Sequence, residues 1–244
     1  MNYYSNGKLL LTGEYLVLDG AKSLALPTKF GQDVVVEKIK ESQLIWGSFT
    51  HSGECWFEAV FDLPKLRLVN CPFKSNKEGS AEVIAETLLS ILQEAKRANP
   101  NFLNSEHGFV VKTNLTFPRN WGLGSSSTLI NSIASWAKVD AFALLKNSFG
   151  GSGYDIACAQ NDTPVLYEIK NTKPIVESVS FNPEFIDDIG KTEYICQGIC
   201  IEPSFSELVY LKFQSVVHDS AISRKIENFV RLINFITLQR IAHY

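Results

Sequence analysis

The stretch that most constrains this chain runs from Gly108 to Ala137. From Gly108 to Phe117 the side chains alternate, with Phe109, Val111, Thr113, Leu115 and Phe117 on one side and Val110, Lys112, Asn114 and Thr116 on the other. A period of two predicts a strand with one polar face, more at home in an antiparallel sheet than at the centre of a parallel one. Pro118 ends it, because proline has no N–H to give to a ladder. Gly122-Leu123-Gly124-Ser125-Ser126-Ser127 follows, and Leu129, Ile133, Trp136 and Ala137 then recur at helical spacing. Strand, glycine loop and helix start in that order bring unobstructed backbone N–H groups and the positive end of a helix dipole to one point, which suits a phosphate. The loop is neither a Walker A loop, which needs a Lys-Ser or Lys-Thr pair after its second glycine, nor a completed dinucleotide fingerprint. Taken alone, a glycine turn with a serine N-cap accounts for it equally well. A cap uses one hydroxyl, however, and the other serines are then available to phosphate oxygens or a metal ion.

Around this centre the chain mixes strands and helices without regular alternation, which argues an α+β fold. Lys8–Thr12, Asp33–Lys38, Cys55–Phe61 and Thr163–Ile169 read as strands. Ser80 to Arg97 reads as a helix, with Ile84, Leu88, Ile91 and Leu92 on one face, Ser80 as N-cap and Glu82 in the first turn. From Asn171 to Gly190 the composition turns loop-like, with Pro174 and Pro183, so a domain boundary is expected near residue 172, giving domains over 1–172 and 173–244. Beyond it, Glu207–Phe213 reads as a strand and Ala221 to about Ile241 as a helix.

Charge and cysteines set the surroundings. With 23 Lys+Arg against 26 Asp+Glu, the formal net charge is −3, so no global basic field exists to hold nucleic acid or an anionic membrane surface. No apolar run is long enough to cross a bilayer. The five cysteines, Cys55, Cys71, Cys158, Cys196 and Cys200, form no CxxC pair. Reduced, mostly buried thiols in a cytoplasmic protein are the expectation.

Two more segments carry chemistry. Gly150-Gly151-Ser152-Gly153-Tyr154-Asp155-Ile156-Ala157 sets Asp155 at the entry of a packed helix, where an unpaired charge is costly. In isolation, a helix N-terminal aspartate stabilised by the dipole is the simpler account. Lys8, beside Gly7 at the mouth of the Leu9-Leu10-Leu11 run, is by itself an ordinary strand-edge cation. Together a lysine, a phosphate loop with hydroxyls and a carboxylate expected to be buried are the parts that phosphoryl transfer requires.

These residues also carry a family resemblance. SNGKLLLTGEYLVLDGAKSLALP (5–27) resembles the first motif of the GHMP kinases, the superfamily of galactokinase and of homoserine, mevalonate and phosphomevalonate kinases. FPRNWGLGSSSTLINSI (117–133) resembles their ATP-phosphate motif, and GGSGYDIACA (150–159) the aspartate segment of the mevalonate and phosphomevalonate branch, in particular of bacterial GHMP kinases with a GYDIA string. The resemblance implies an N-terminal α+β domain with a left-handed βαβ crossover and a ferredoxin-like C-terminal domain, here partial. It implies ATP and Mg2+ as cofactors and a small-molecule acceptor, mevalonate-like or phosphomevalonate-like. By the match, Asp155 is the general base and Lys8 lies near the substrate hydroxyl and keeps Asp155 ionised. Gly122, Leu123, Gly124, Ser125, Ser126 and Ser127 hold the phosphates, and the Ser126 hydroxyl ligates Mg2+. Glu14 and Tyr15 fall in the first motif with a structural or substrate-side role.

Two departures qualify the match. The stretch Phe142 to Phe149, where mevalonate kinases place an additional metal-binding glutamate, contains no acid, and no glycine follows Gly198 to form the family's third motif. On this reading the chain is truncated or divergent at its C-terminal end. A silent nucleotide- or partner-binding protein, or a diphosphomevalonate decarboxylase of the same fold, are the alternatives. Phe229, Ile233 and Ile236 on an incompletely covered helix would form an apolar surface able to join two copies, so a homodimer is compatible with the sequence.

Overall fold

The computed structural model describes residues 1–13, 16–72 and 81–181. The chain runs β1 (Asn2–Leu10), a 3-10 turn at Leu16–Asp19, β2 (Ser23–Ile39), β3 (Gln43–Phe49), β4 (Cys55–Asp62), β5 (Arg67–Asn70) and α1 (Ala81–Ala98). It continues through β6 (Gly108–Leu115), a 3-10 turn at Arg119–Trp121, α2 (Ser125–Ala137), α3 (Ala141–Ser148), α4 (Tyr154–Gln160), β7 (Val165–Lys170) and β8 (Lys173–Ser178). The strand expected at Glu207–Phe213, the helix at Ala221–Ile241 and its apolar residues Phe229, Ile233 and Ile236, the C-terminal domain, Ser80, Glu14, Tyr15, Cys196 and Cys200 lie outside the described residues.

The sheet is organised around β2, whose 17 residues exceed the usual strand length because it serves three partners. Val35 stands between Asn2 of β1 and Lys112 of β6, and Ala25 between Leu10 of β1 and Val165 of β7. Thus β1 follows one edge of β2, while β6 and β7 share the other. The strand order is β5-β4-β3-β6-β2-β7-β8, with β1 added on β2. Among the described strands, only β3 and β6 pair in parallel, and α1 lies in the connection between them.

One face of this sheet carries the core. Leu44 and Trp46 of β3, Phe57 and Phe61 of β4 and Val111 of β6 pack with Leu88 and Leu92 of α1, Ile130 and Ile133 of α2 and Leu144 of α3. Trp136 holds Phe102 and Phe109 edge-on, with ring centroids 4.8 and 5.4 Å away. Each such pair adds about 0.5–1.5 kcal/mol beyond its buried area. The opposite face remains polar, which explains the alternation in β6: Phe109, Val111, Thr113 and Leu115 are buried and Lys112 is exposed. The expectation of an antiparallel rather than a central parallel strand holds on the β2 side and fails on the β3 side. β6 is central, antiparallel to β2 and parallel to β3, and among the described residues the helices pack against its apolar face.

Other expectations shift in their bounds. The first strand begins at Asn2 and ends at Leu10 rather than running from Lys8 to Thr12. β3 and β5 had no separate sequence signal, and the loop-like stretch from residue 171 contains β8, paired with β7 along its length. Of the three described cysteines, only Cys158 is buried; Cys55 and Cys71 are half-buried, and all three are free.

Candidate active site

The site is assembled where β1, α2 and α4 meet. β1 breaks register between Asn6 and Gly7, so that Asn6 faces Gly31 but Gly7 faces Thr28 on β2. This irregularity presses Gly7 onto the glycine loop. A Cβ at residue 7 would lie 2.6 Å from Thr28 Oγ1 and 2.9 Å from Leu123 O, so no side chain fits. The next residue, Lys8, donates its backbone N–H to Leu123 O at 2.9 Å, which fastens the loop to the strand.

The loop itself opens α2 in a different way from a serine-capped helix. Gly124 is the N-cap, in the left-handed region at φ 85°, and no side chain caps this end. Serines 125–127 are therefore the first three helical residues rather than caps. The first bond into the helix runs from Thr128 N–H to Gly124 O at 3.0 Å, so the N–H groups of residues 125–127 precede the helical ladder. Anion affinity is the expected property of such an end. Ser126 is exposed and Ser125 half-buried. Ser127 is buried, and its hydroxyl donates to Gly124 O at 2.8 Å.

Asp155 lies in the first turn of α4, half-buried, and its carboxylate accepts from Ile156 N–H at 3.1 Å. Burial raises its pKa above the ordinary carboxylate value. The Lys8 charge, the Ile156 and Asp155 backbone N–H groups and the Ser127 hydroxyl pull it down, without cancelling the effect of burial. The Lys8 charge acts on Asp155 in the expected direction, against protonation, while burial acts the other way and is the larger effect. The same carboxylate adds to burial in pushing the Cys158 thiol up, and Tyr167 to about 12.

Sequence reasoning missed Tyr154. Its hydroxyl accepts from Lys8 Nζ at 2.9 Å, and the ammonium also sits 5.3 Å from its ring centroid. The signal was available, since Tyr154 precedes Asp155 in the glycine-rich segment. Lys8, Asp155 and the 122–127 loop are therefore brought together, as the three motifs require.

Behind them runs a polar seam with no local sequence signature. Ser5 Oγ lies 2.8 Å from Ser132 Oγ and accepts from Asn131 Nδ2 at 3.0 Å, while Gln160 Nε2 donates to Asn131 Oδ1 at 3.0 Å. Thr128 Oγ1 donates to Gln32 Oε1 at 2.8 Å. These bonds tie β1, β2 and α4 to successive turns of α2. Between α1, β3, β4 and the start of α2 lies a cavity of about 220 Å³, lined in part by Trp46, Trp56, Leu88, Arg119, Ser125 and Ser126.

Solved structures with this architecture include the mevalonate kinase of Methanococcus jannaschii, with a TM-score of 0.52 and 15% identity over 74% of this chain and 56% of that one. The L. major mevalonate kinase in complex with R-mevalonate matches with a TM-score of 0.52 and 14% identity over 96% of this chain and 67% of that one. The described residues have the fold of these kinases. No protein-family profile and no curated protein matches the sequence. The chain spans 56% of the length of the M. jannaschii enzyme. Among the described residues, no helix is long and apolar enough to cross a membrane.

Proposed function

We propose that this GHMP-fold chain is an ATP-dependent kinase that transfers a phosphoryl group to a hydroxyl or phosphate of a mevalonate-like or phosphomevalonate-like small molecule. The observation that carries the reading is the convergence of Lys8, the open start of α2 and Asp155 on one point, held by the Lys8 bonds to Leu123 O and Tyr154. Asp155 is the base that takes the acceptor's proton, and Lys8 offsets negative charge as it develops. Backbone N–H groups of the 122–127 loop hold the phosphates, and the nucleoside extends into the cavity beside Ser125 and Ser126.

Mg2+ keeps several waters and takes one or two protein oxygens beside those of the phosphates, and when bound it neutralises their charge. Among the described residues no cluster of three His, Cys, Asp or Glu side chains forms a ready metal cage. The exposed Ser126 hydroxyl fits the smaller demand, and it is the protein oxygen we assign to it.

The test is ADP release with mevalonate, phosphomevalonate, homoserine and sugars as acceptors. Turnover with one of them, lost in Asp155→Asn, supports the reading; no turnover with any, or undiminished turnover in the variant, sinks it. ATP binding without phosphotransfer selects the silent nucleotide binder, which the acid-free stretch 142–149 favours. CO₂ release from a diphosphorylated mevalonate selects the decarboxylase.

A further inference from the structure

Of the groups that converge on the site, the Lys8 ammonium has the most freedom to lose. The Lys8 backbone is fixed by its bond to Leu123 O, but the charge stands at the end of a flexible four-carbon stem. The fold constrains that stem at two points. Midway, it crosses the start of α2: a Cβ on Gly124 would lie 3.0 Å from Lys8 Cγ and 3.3 Å from Lys8 Cε. At its end, the ammonium donates to the Tyr154 hydroxyl at 2.9 Å and lies 5.3 Å from the centroid of that ring. The short distance to the oxygen and the longer one to the centroid put the charge at the hydroxyl edge of the ring rather than over its face.

Tyr154 suits the task by stiffness and by position. A tyrosine turns about two side-chain torsions, so holding it in place costs less entropy than holding a lysine. Its ring packs against the buried cluster that contains Ala157, Val165 and Tyr167. It is also the first residue of α4 and the chain neighbour of Asp155, so one peptide unit separates the group that receives the ammonium from the carboxylate on which the Lys8 charge acts. We infer that Tyr154 is the positioning residue for Lys8: its hydroxyl holds the ammonium beside Asp155 and the start of α2, and it works through Lys8 without itself taking part in proton or phosphoryl transfer. The inference rests on the kinase reading above and adds to it the residue that fixes where the Lys8 charge is delivered.

A double-mutant cycle of Tyr154→Phe and Lys8→Met in the full chain tests this, read as kcat for ADP release with the acceptor that turns over. Tyr154→Phe keeps the ring and removes the acceptor, and is expected to lower kcat about tenfold, the scale of a hydrogen bond to a charged group. In the Lys8→Met background the same change should cost nothing further, because the two residues act as one unit. Unchanged kcat in Tyr154→Phe overturns the inference. Equal losses in both backgrounds overturn it as well, since a tyrosine that only supports the fold behaves in that way. A second measurement needs no turnover: the Lys8 ammonium resonance in NMR of the lysine-labelled chain, assigned by its absence from Lys8→Met. It should be visible in the natural chain, show cross-relaxation with the Tyr154 ring protons, and vanish in Tyr154→Phe. A natural chain without that resonance, or a resonance that persists in Tyr154→Phe, overturns the inference. Should Tyr154→Phe not fold or Lys8→Met not turn over, cross-relaxation in the natural chain decides, and its absence counts against Tyr154. Lack of turnover with every acceptor sinks the kinase reading alone, and the resonance then decides whether Tyr154 holds Lys8.

Discussion

Asp155 is placed where its two requirements conflict. A proton acceptor must be ionised when the acceptor hydroxyl arrives, yet burial at the start of α4 raises its pKa and favours the neutral acid. Lys8 is the first of the groups that oppose this. Asp155→Asn should therefore lower kcat by about 10²–10⁴-fold, the usual contribution of a positioned base, as measured by ADP release under saturating nucleotide. The pH dependence follows with its sign. Activity should rise as Asp155 loses its proton, along an acid limb in kcat/KM displaced upward from that of an ordinary aspartate. In Lys8→Met the positive charge no longer opposes protonation, so the limb should move further toward alkaline pH. A limb that stays in place in that variant would show that Lys8 does not act on the group being titrated.

At the scale of the element, the start of α2 depends on its N-cap. Gly124 and Gly122 both adopt positive φ, 85° and 69°, so each costs an alanine about 1–2 kcal/mol in backbone conformation. Only Gly124 is also enclosed: a Cβ there would lie 2.7 Å from Ser127 Oγ and 3.0 Å from Lys8 Cγ, whereas at Gly122 nothing lies within 4 Å. Gly124→Ala should displace Lys8 or the first turn of α2 and lower ATP affinity at least tenfold by titration. Gly122→Ala should lose stability by about the conformational cost, in urea unfolding, with a smaller loss of affinity. The loop and helix were legible because their chemistry is local, with alternation ending at Pro118, glycines at the turn and helical periodicity from Leu129. The identity of the cap was not, because either Gly124 or a serine can begin a helix, and Lys8 packing against Gly124 is a contact between distant segments. Tyr154 and the Asn131 seam escaped for the same reason: each is defined by a partner in another element.

Across the described residues, the helices that pack on the core face of the sheet also carry Asp155, so the charge we propose for catalysis weighs on stability as well. The unfolded chain holds Asp155 at its ordinary pKa, while the folded chain holds it higher. Between the two values the folded state retains a proton that the unfolded state has released, so stability falls as pH rises through that window. The loss is complete above the folded pKa and absent below the unfolded one. Urea midpoints measured across that range should decline more in the natural chain than in Asp155→Asn, with the two converging at acid pH. At neutral pH the variant should be the more stable. The partial opposition from Lys8 sets the companion result. Lys8→Met removes the charge that favours ionised Asp155 and should widen the window, steepening the decline. Parallel midpoint curves for all three proteins would mean that Asp155 has the same proton affinity folded and unfolded, and that its burial carries no energetic conflict.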